Sequence, residues 1–272
     1  MPSNTKDNNQ YYGKYRECCV VAHLNGSEVK YNEDYEFTAE EKTQLFNEAK
    51  LISDYIGNHT ATYCGNHTGS ATGDILLDNG ETIEIKSVSA GSGTYHNTTI
   101  YYFEKFGFNF KDYMAKYGLY DALEANFKDI VRVSRTNKSP VSQANSSLIR
   151  HSYTDIYQKN IVPVDENMRK QFTSDIANYF ANNSDKAYEF ITDMLNKNCA
   201  TNYKETPDRL IVLNYAKKTV REVDLQHFKD NISTNVRNTD KGLVIGNIRV
   251  AFSWQNGGGL NNPTIRVFLL EE

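Results

Sequence analysis

Asp74, Glu84 and Lys86 are the residues best suited to do chemistry in this chain. They lie in the run Gly73-Asp74-Ile75-Leu76-Leu77-Asp78-Asn79-Gly80-Glu81-Thr82-Ile83-Glu84-Ile85-Lys86. Asp78-Asn79-Gly80 supplies turn residues that tolerate positive φ, and the Ile/Leu and Ile/Ile segments on either side read as strands, which predicts a β-hairpin. Glu84 and Lys86 are two apart on the second strand and share a face. With Asp74 at the start of the first strand, the three side chains meet at one place. Two carboxylates are hard oxygen ligands for Mg²⁺, and a lysine beside them can position or deprotonate a water. Hydrolysis of a phosphodiester needs those parts.

The spacing of Asp74, nine residues, and then Glu84-Ile85-Lys86 resembles the motif of the PD-(D/E)xK nuclease superfamily, which includes most type II restriction endonucleases. Gly73 stands where the superfamily's name has proline, a residue that carries no chemistry. The polar stretch from Ser87 to Thr99 looks like the loop that follows this motif in some restriction enzymes. The resemblance implies Mg²⁺ held by Asp74 and Glu84, water oriented by Lys86, and products with a 5′-phosphate and a 3′-hydroxyl. It also implies a further acidic residue from an upstream helix. Glu48 is the candidate, and Glu41 is the weaker alternative because a helix cap already uses it. His96, in the polar loop, is a further candidate for phosphate contact or proton movement; a histidine in such a loop is otherwise simply solvated. The plainer reading of the motif is a strand-leading Asp74 and a surface ion pair between Glu84 and Lys86.

The elements that must position these residues are partly legible. Glu36 to Ile56 reads as a helix, with Thr38 and Glu41 as a capping box, Leu45, Ala49, Ile52 and Ile56 on one face, and Gly57 as the stop. Glu48 borders that face. After the hairpin of residues 73 to 87 and the polar loop, Ile100 to about Val133 reads as an aromatic helical region whose rings pack in a core rather than stack on bases. Glu166 to about Leu195 reads as helix, Arg209 to Tyr215 as a buried strand, and Val223 to Ile232 as a short helix. Leu243 to Trp254 and Thr264 to Leu270 read as two more strands. This order suits a mixed α+β protein, a central mixed β-sheet flanked by helices in the manner of restriction endonucleases, folded as a single domain over residues 1–272.

The formal net charge of −4 argues against a protein that coats nucleic acid nonspecifically. The charge is uneven, however. Residues 1–57 hold 6 Lys/Arg against 10 Asp/Glu, whereas residues 128–150 hold 5 Lys/Arg against Asp129 alone. Arg132, Arg135 and Lys138, with Gln143 and Asn145, combine phosphate-binding cations with neutral readers of base edges. Gln255, Asn256, Asn261 and Asn262 form an amide-rich loop that suits adenine recognition, its plainer reading being a simple chain reversal, and DNA contact is expected for at least one of the two segments. Double-stranded DNA is therefore the expected partner, bound by a homodimer because a palindromic site presents the same bases twice.

No apolar run is long enough to span a bilayer, and the polar N-terminus lacks a signal peptide's apolar core, so a cytoplasmic location is expected. Four cysteines, Cys18, Cys19, Cys64 and Cys199, form no CxxC pair and read as reduced thiols. His59, Cys64 and His67 lack a convincing fourth zinc ligand. The expectation is a Mg²⁺-dependent, sequence-specific endonuclease of a restriction-modification system. Its rivals are a repair or recombination nuclease on the same core and a DNA-binding protein whose carboxylates are structural.

Overall fold

A computed structural model of the chain describes residues 8–32, 35–65, 73–89, 93–125, 157–196, 206–253 and 264–270. The fold is mixed α+β, with two five-stranded sheets and flanking helices. The chain divides into two compact units, Met1–Thr94 with Leu195–Asn231, and Tyr95–Met194 with Ile232–Glu272. The single domain expected over 1–272 thus meets a chain whose interior contacts fall into two groups. The motif residues all lie in the first.

The first unit begins with helices α1 (Asn8–Asn25) and α2 (Ala39–Ile56), followed by strands β1 (Ala61–Tyr63), β2 (Ile75–Leu77) and β3 (Thr82–Val88). It is completed by β5 (Arg209–Asn214), β6 (Thr219–Val223) and the short helix α7 (Leu225–Asp230). The sheet order is β1-β2-β3-β5-β6, antiparallel throughout except for the parallel pair β3/β5. A parallel pair needs a long crossover. Here the intervening chain includes the strand His96–Thr99 and every helix described in the second unit.

Period-two alternation builds this unit's core. Ile75 and Leu77, Ile83 and Ile85, and Ile211 and Leu213 are buried together with Leu45, Ala49, Ile52 and Ile56 of α2 and with Tyr15, Cys19 and Val20 of α1. The α2 cap forms as its sequence predicts: Glu41 N donates to Thr38 Oγ1 at 3.2 Å and Thr38 N donates to Glu41 Oε2 at 2.8 Å. The predicted hairpin also forms, closed by Gly80 at φ 89° and by Gly80 N donating to Leu77 O at 3.0 Å. Asp208 fixes the start of the parallel pair, accepting from Thr82 N at 2.7 Å and Thr82 Oγ1 at 2.8 Å.

The second unit has β4 (His96–Thr99), a 3₁₀ turn (Ile100–Phe106), α3 (Phe110–Lys116), α4 (Leu119–Ala125), a π-helical turn (Tyr157–Ile161), α5 (Val162–Asn182) and α6 (Ser184–Leu195). It ends with β7 (Val236–Thr239), β8 (Gly242–Ile245), β9 (Ile248–Ser253) and β10 (Thr264–Leu269). Its sheet, β4-β10-β9-β8-β7, is wholly antiparallel. Phe103, Phe106, Phe110, Phe172, Phe180 and Phe190 are buried, so these rings pack the core as expected.

Several elements are shorter than the sequence patterns predict. The aromatic region is broken at Gly107 and Gly118, both at positive φ, into a 3₁₀ turn and two short helices. The helix read over Glu166 to Leu195 is two helices, with Asn183 capping the first. The strand read over Leu243 to Trp254 is two, turned at Gly246, whose φ of 58° and added-Cβ distance of 2.0 Å from Ser233 O exclude a side chain. Among the described residues no helix is long and apolar enough to cross a membrane.

Candidate active site

The polar end of the β2–β3 hairpin brings Asp74 to the strand that carries Glu84 and Lys86. Asp74 precedes β2 by one residue, where its N–H donates to Ile83 O at 2.8 Å. Its carboxylate Oδ2 accepts from Ile85 N at 2.7 Å. A carboxylate held on a backbone N–H is fixed in position. Because Ile85 lies between Glu84 and Lys86, this bond places Asp74 at the two residues with which the motif pairs it. Gly73 makes the approach possible: at φ 129°, a Cβ there would lie 2.9 Å from Ile83 O. Proline, with φ locked near −65°, does not fit.

Glu84 and Lys86 form an ion pair, but not a surface one. The Glu84 side chain is 3% exposed, and Lys86 is 27% exposed. A buried carboxylate requires a partner. Lys86 provides it and reaches partway to solvent. The chain after β3 folds back over the lysine stem, since a Cβ added at Gly93 would come 3.3 Å from Lys86 Cβ.

A third carboxyl, Glu17 of α1, lies near enough to feel the charges of Asp74 and Lys86. Glu17 is half-buried, and burial together with the negative charge of Asp74 pushes its carboxyl up to about 8, against the opposing pull of Lys86, Tyr63 and Arg16. The Tyr63 phenol is pushed up in turn, first by burial and then by Glu17. The α1 helix is absent from the sequence reading because Tyr15, Arg16, Cys18, Cys19 and Val20 are all buried, a nearly continuous run with no helical stripe. The signal that points to it is Arg16-Glu17, two opposite charges directly before the apolar run Cys18 to Ala22.

The raised affinity of Glu17 for a proton has a definite consequence for stability. A carboxyl that binds its proton more tightly in the folded chain than in the unfolded one loses stability for the fold as the pH rises from its ordinary value, 4.5, to about 8. Glu17→Gln, measured in EDTA by thermal unfolding, is expected to show a smaller fall over that window. Its Tm should exceed the parent's at the alkaline end, and parallel curves for the two proteins would show that Glu17 is not under this strain.

Glu48 serves another purpose. Its Oε2 accepts from Arg16 Nε at 2.9 Å and Nη2 at 2.6 Å, and its Oε1 accepts from Gln44 Nε2 at 2.8 Å. Both members of the ion pair are buried, so it ties α1 to α2. Glu41 belongs to the cap and also accepts from the Tyr12 hydroxyl. His96 lies not in a loop but on β4 of the second unit, 4% exposed, with Nε2 2.9 Å from Met194 O. Its burial in the sheet removes the solvated reading, and its Nε2 is turned to backbone.

His59 Nδ1 lies 2.8 Å from Asp78 Oδ1, and the Cys64 thiol faces Thr62 O at 3.6 Å, so neither is turned to a zinc set; His67 lies outside the described residues. Cys18, Cys19 and Cys64 are not disulfide-bonded, and the first two are buried. The expected DNA contacts Arg132, Arg135, Lys138, Gln143, Asn145, Gln255, Asn256, Asn261 and Asn262 also lie outside the described residues.

Among the described residues, no three His, Cys, Asp or Glu side chains converge as a finished metal cage. Mg²⁺ does not require one, because it keeps several waters and takes one or two protein carboxylates. The oxygen donors of Asp74 and Glu84, with Glu17 nearby, therefore fit Mg²⁺ in chemical type. No protein-family model matches the chain, and neither a curated protein nor a solved structure is found to match it.

Proposed function

We propose that the chain is a Mg²⁺-dependent endonuclease of the PD-(D/E)xK kind, most simply a type II restriction enzyme cutting both strands of a short DNA site as a homodimer. The observation that carries this reading is the bond from Ile85 N to Asp74 Oδ2, which sets Asp74 beside Glu84 and Lys86 across the hairpin. A cation held by Asp74 and Glu84 would draw charge from the scissile phosphate and lower the pKa of a bound water. Asp74 contributes a carboxylate already fixed by backbone. Glu84 contributes a second one, buried and ion-paired with Lys86. The partly exposed Lys86 ammonium donates to the attacking water, orienting it for in-line displacement. Glu17 offers a further carboxyl nearby, which keeps its proton up to about pH 8 and would shed it only toward a cation. No residue need become covalently attached, and the expected products carry a 5′-phosphate and a 3′-hydroxyl.

Plasmid cleavage tests the proposal. Discrete fragments in Mg²⁺, with none in Ca²⁺ or EDTA, are the expected result, since the larger ion places the water poorly. Cleavage confined to branched DNA would transfer the same site to a repair nuclease. Binding without cleavage in any divalent metal would leave the carboxylates a structural role. A monomer on cognate DNA by ultracentrifugation would remove the two-fold model.

A further inference from the structure

The turn joining β5 to β6, Tyr215-Ala216-Lys217-Lys218, is exposed throughout. Lys218 has φ 54°, the only positive φ of any non-glycine residue described. That conformation crowds a Cβ, and glycine would adopt it without strain. A lysine kept there gives up local stability for an ammonium at that point. Such an outlier is grounds for seeking a functional reason.

The turn's position supplies one. β3 and β5 are parallel and in register, with Lys86 opposite Val212 and Val88 opposite Asn214, and Tyr215 N donates to Val88 O at 3.0 Å. The turn therefore emerges at the end of the sheet toward which β3 runs beyond Lys86. Tyr215 lies over Arg16, 6.0 Å from guanidinium carbon to ring centroid, and Arg16 is the chain neighbour of Glu17. Tyr215 and Lys218 line a groove with Glu40, Gln44, Asn47, Glu48 and Lys50 of α2, and the charge of Glu48 is met by Arg16. Among the described residues, no carboxylate forms an ion pair with Lys217 or Lys218.

We infer that Lys217 and Lys218 grip a backbone phosphate of duplex DNA a few nucleotides from the phosphodiester at Asp74, Glu84 and Lys86. This inference rests on the nuclease reading for its substrate. A strand advances about 3.3 Å per residue, and duplex DNA carries a phosphate about every 3.4 Å along each strand. A backbone lying at Lys86 and following the sheet toward the turn thus meets the two ammonium groups within that range. The alternative is a turn whose lysines serve only solubility, which gives no reason to place one of them in a strained conformation.

Lys218→Gly separates the two because it removes the ammonium and relieves the backbone at once. The probe is a short fluorescein-labelled duplex of random sequence, bound in Ca²⁺ so that it stays intact, at several salt concentrations. The variant is expected to melt at or above the parent's Tm, yet to bind several-fold more weakly at low salt. Its slope of log affinity against log salt should be shallower by about one phosphate contact, roughly 0.9. Lys217→Ala should lose affinity in the same sense, and Lys218→Arg should retain it. Unchanged affinity and slope in Lys218→Gly, or no binding of the duplex by the parent, would overturn the inference. If the parent cuts plasmid while the variant binds normally, the nuclease reading survives and the grip does not. Salt-dependent binding that needs Lys218 in a chain that never cuts would keep the grip and remove the nuclease reading.

Discussion

Replacing Asp74, Glu84 or Lys86 singly with alanine is expected to reduce plasmid cleavage in Mg²⁺ by roughly 10²- to 10⁴-fold, the range associated with losing one group that acts in the transition state. The three losses should differ in their side effects. Asp74→Ala removes the acceptor of the Ile85 N–H, so it loosens the junction between β2 and β3 as well as the site. Glu84→Ala leaves Lys86 without its buried partner. Lys86→Ala leaves a carboxylate that is 3% exposed without its cation, which should favour a protonated Glu84 and add a loss of stability to the loss of rate. Glu84→Gln therefore gives the cleaner test of chemistry, because it keeps the shape and some hydrogen bonding without a buried charge. Circular dichroism and thermal unfolding should accompany each rate. A well-folded variant at any of the three positions that cuts at the parent's rate would move the active site elsewhere.

The part of the site built from neighbouring residues is readable in the sequence, and the part built from distant ones is not. Thr38 and Glu41 announce the start of α2, and Asp78-Asn79-Gly80 announces the turn, because each signal and its effect lie within a few residues. Asp74, Glu84 and Lys86 share that hairpin, so their meeting is also local. By contrast, the pairing of β3 with β5 depends on contacts such as Asp208 with Thr82, which are 126 residues apart. No periodicity reports such a partner. Composition misleads at His96: a stretch of Gly, Ser, Thr and Asn reads as loop, yet pairing with β10 makes its second half a strand. The α1 helix is hidden for the opposite reason. It is buried on too many sides to show a stripe, and Glu17 is hidden with it.

Glu48 shows how one helical face fits two very different roles, and the expected result is a large effect on stability rather than on metal use. In the fold its two oxygens accept three hydrogen bonds, from Arg16 and Gln44, and both members of the ion pair are less than a tenth exposed. Glu48→Ala leaves the Arg16 guanidinium buried without its carboxylate, a loss of about 3–5 kcal/mol for comparable buried pairs. Urea denaturation should show a lower midpoint with a similar slope. The double variant Glu48→Leu with Arg16→Met should recover much of that loss, because apolar groups of similar volume replace a buried ion pair at little net cost. Were Glu48 a metal ligand instead, the alanine variant would keep the parent's stability and require more Mg²⁺ for half-maximal cleavage. The hydrogen bonding favours the first outcome: a carboxylate engaged at both oxygens by donors on its own and the neighbouring helix must break those bonds before it can hold a cation, and α1 and α2 would lose a buried ion pair in doing so.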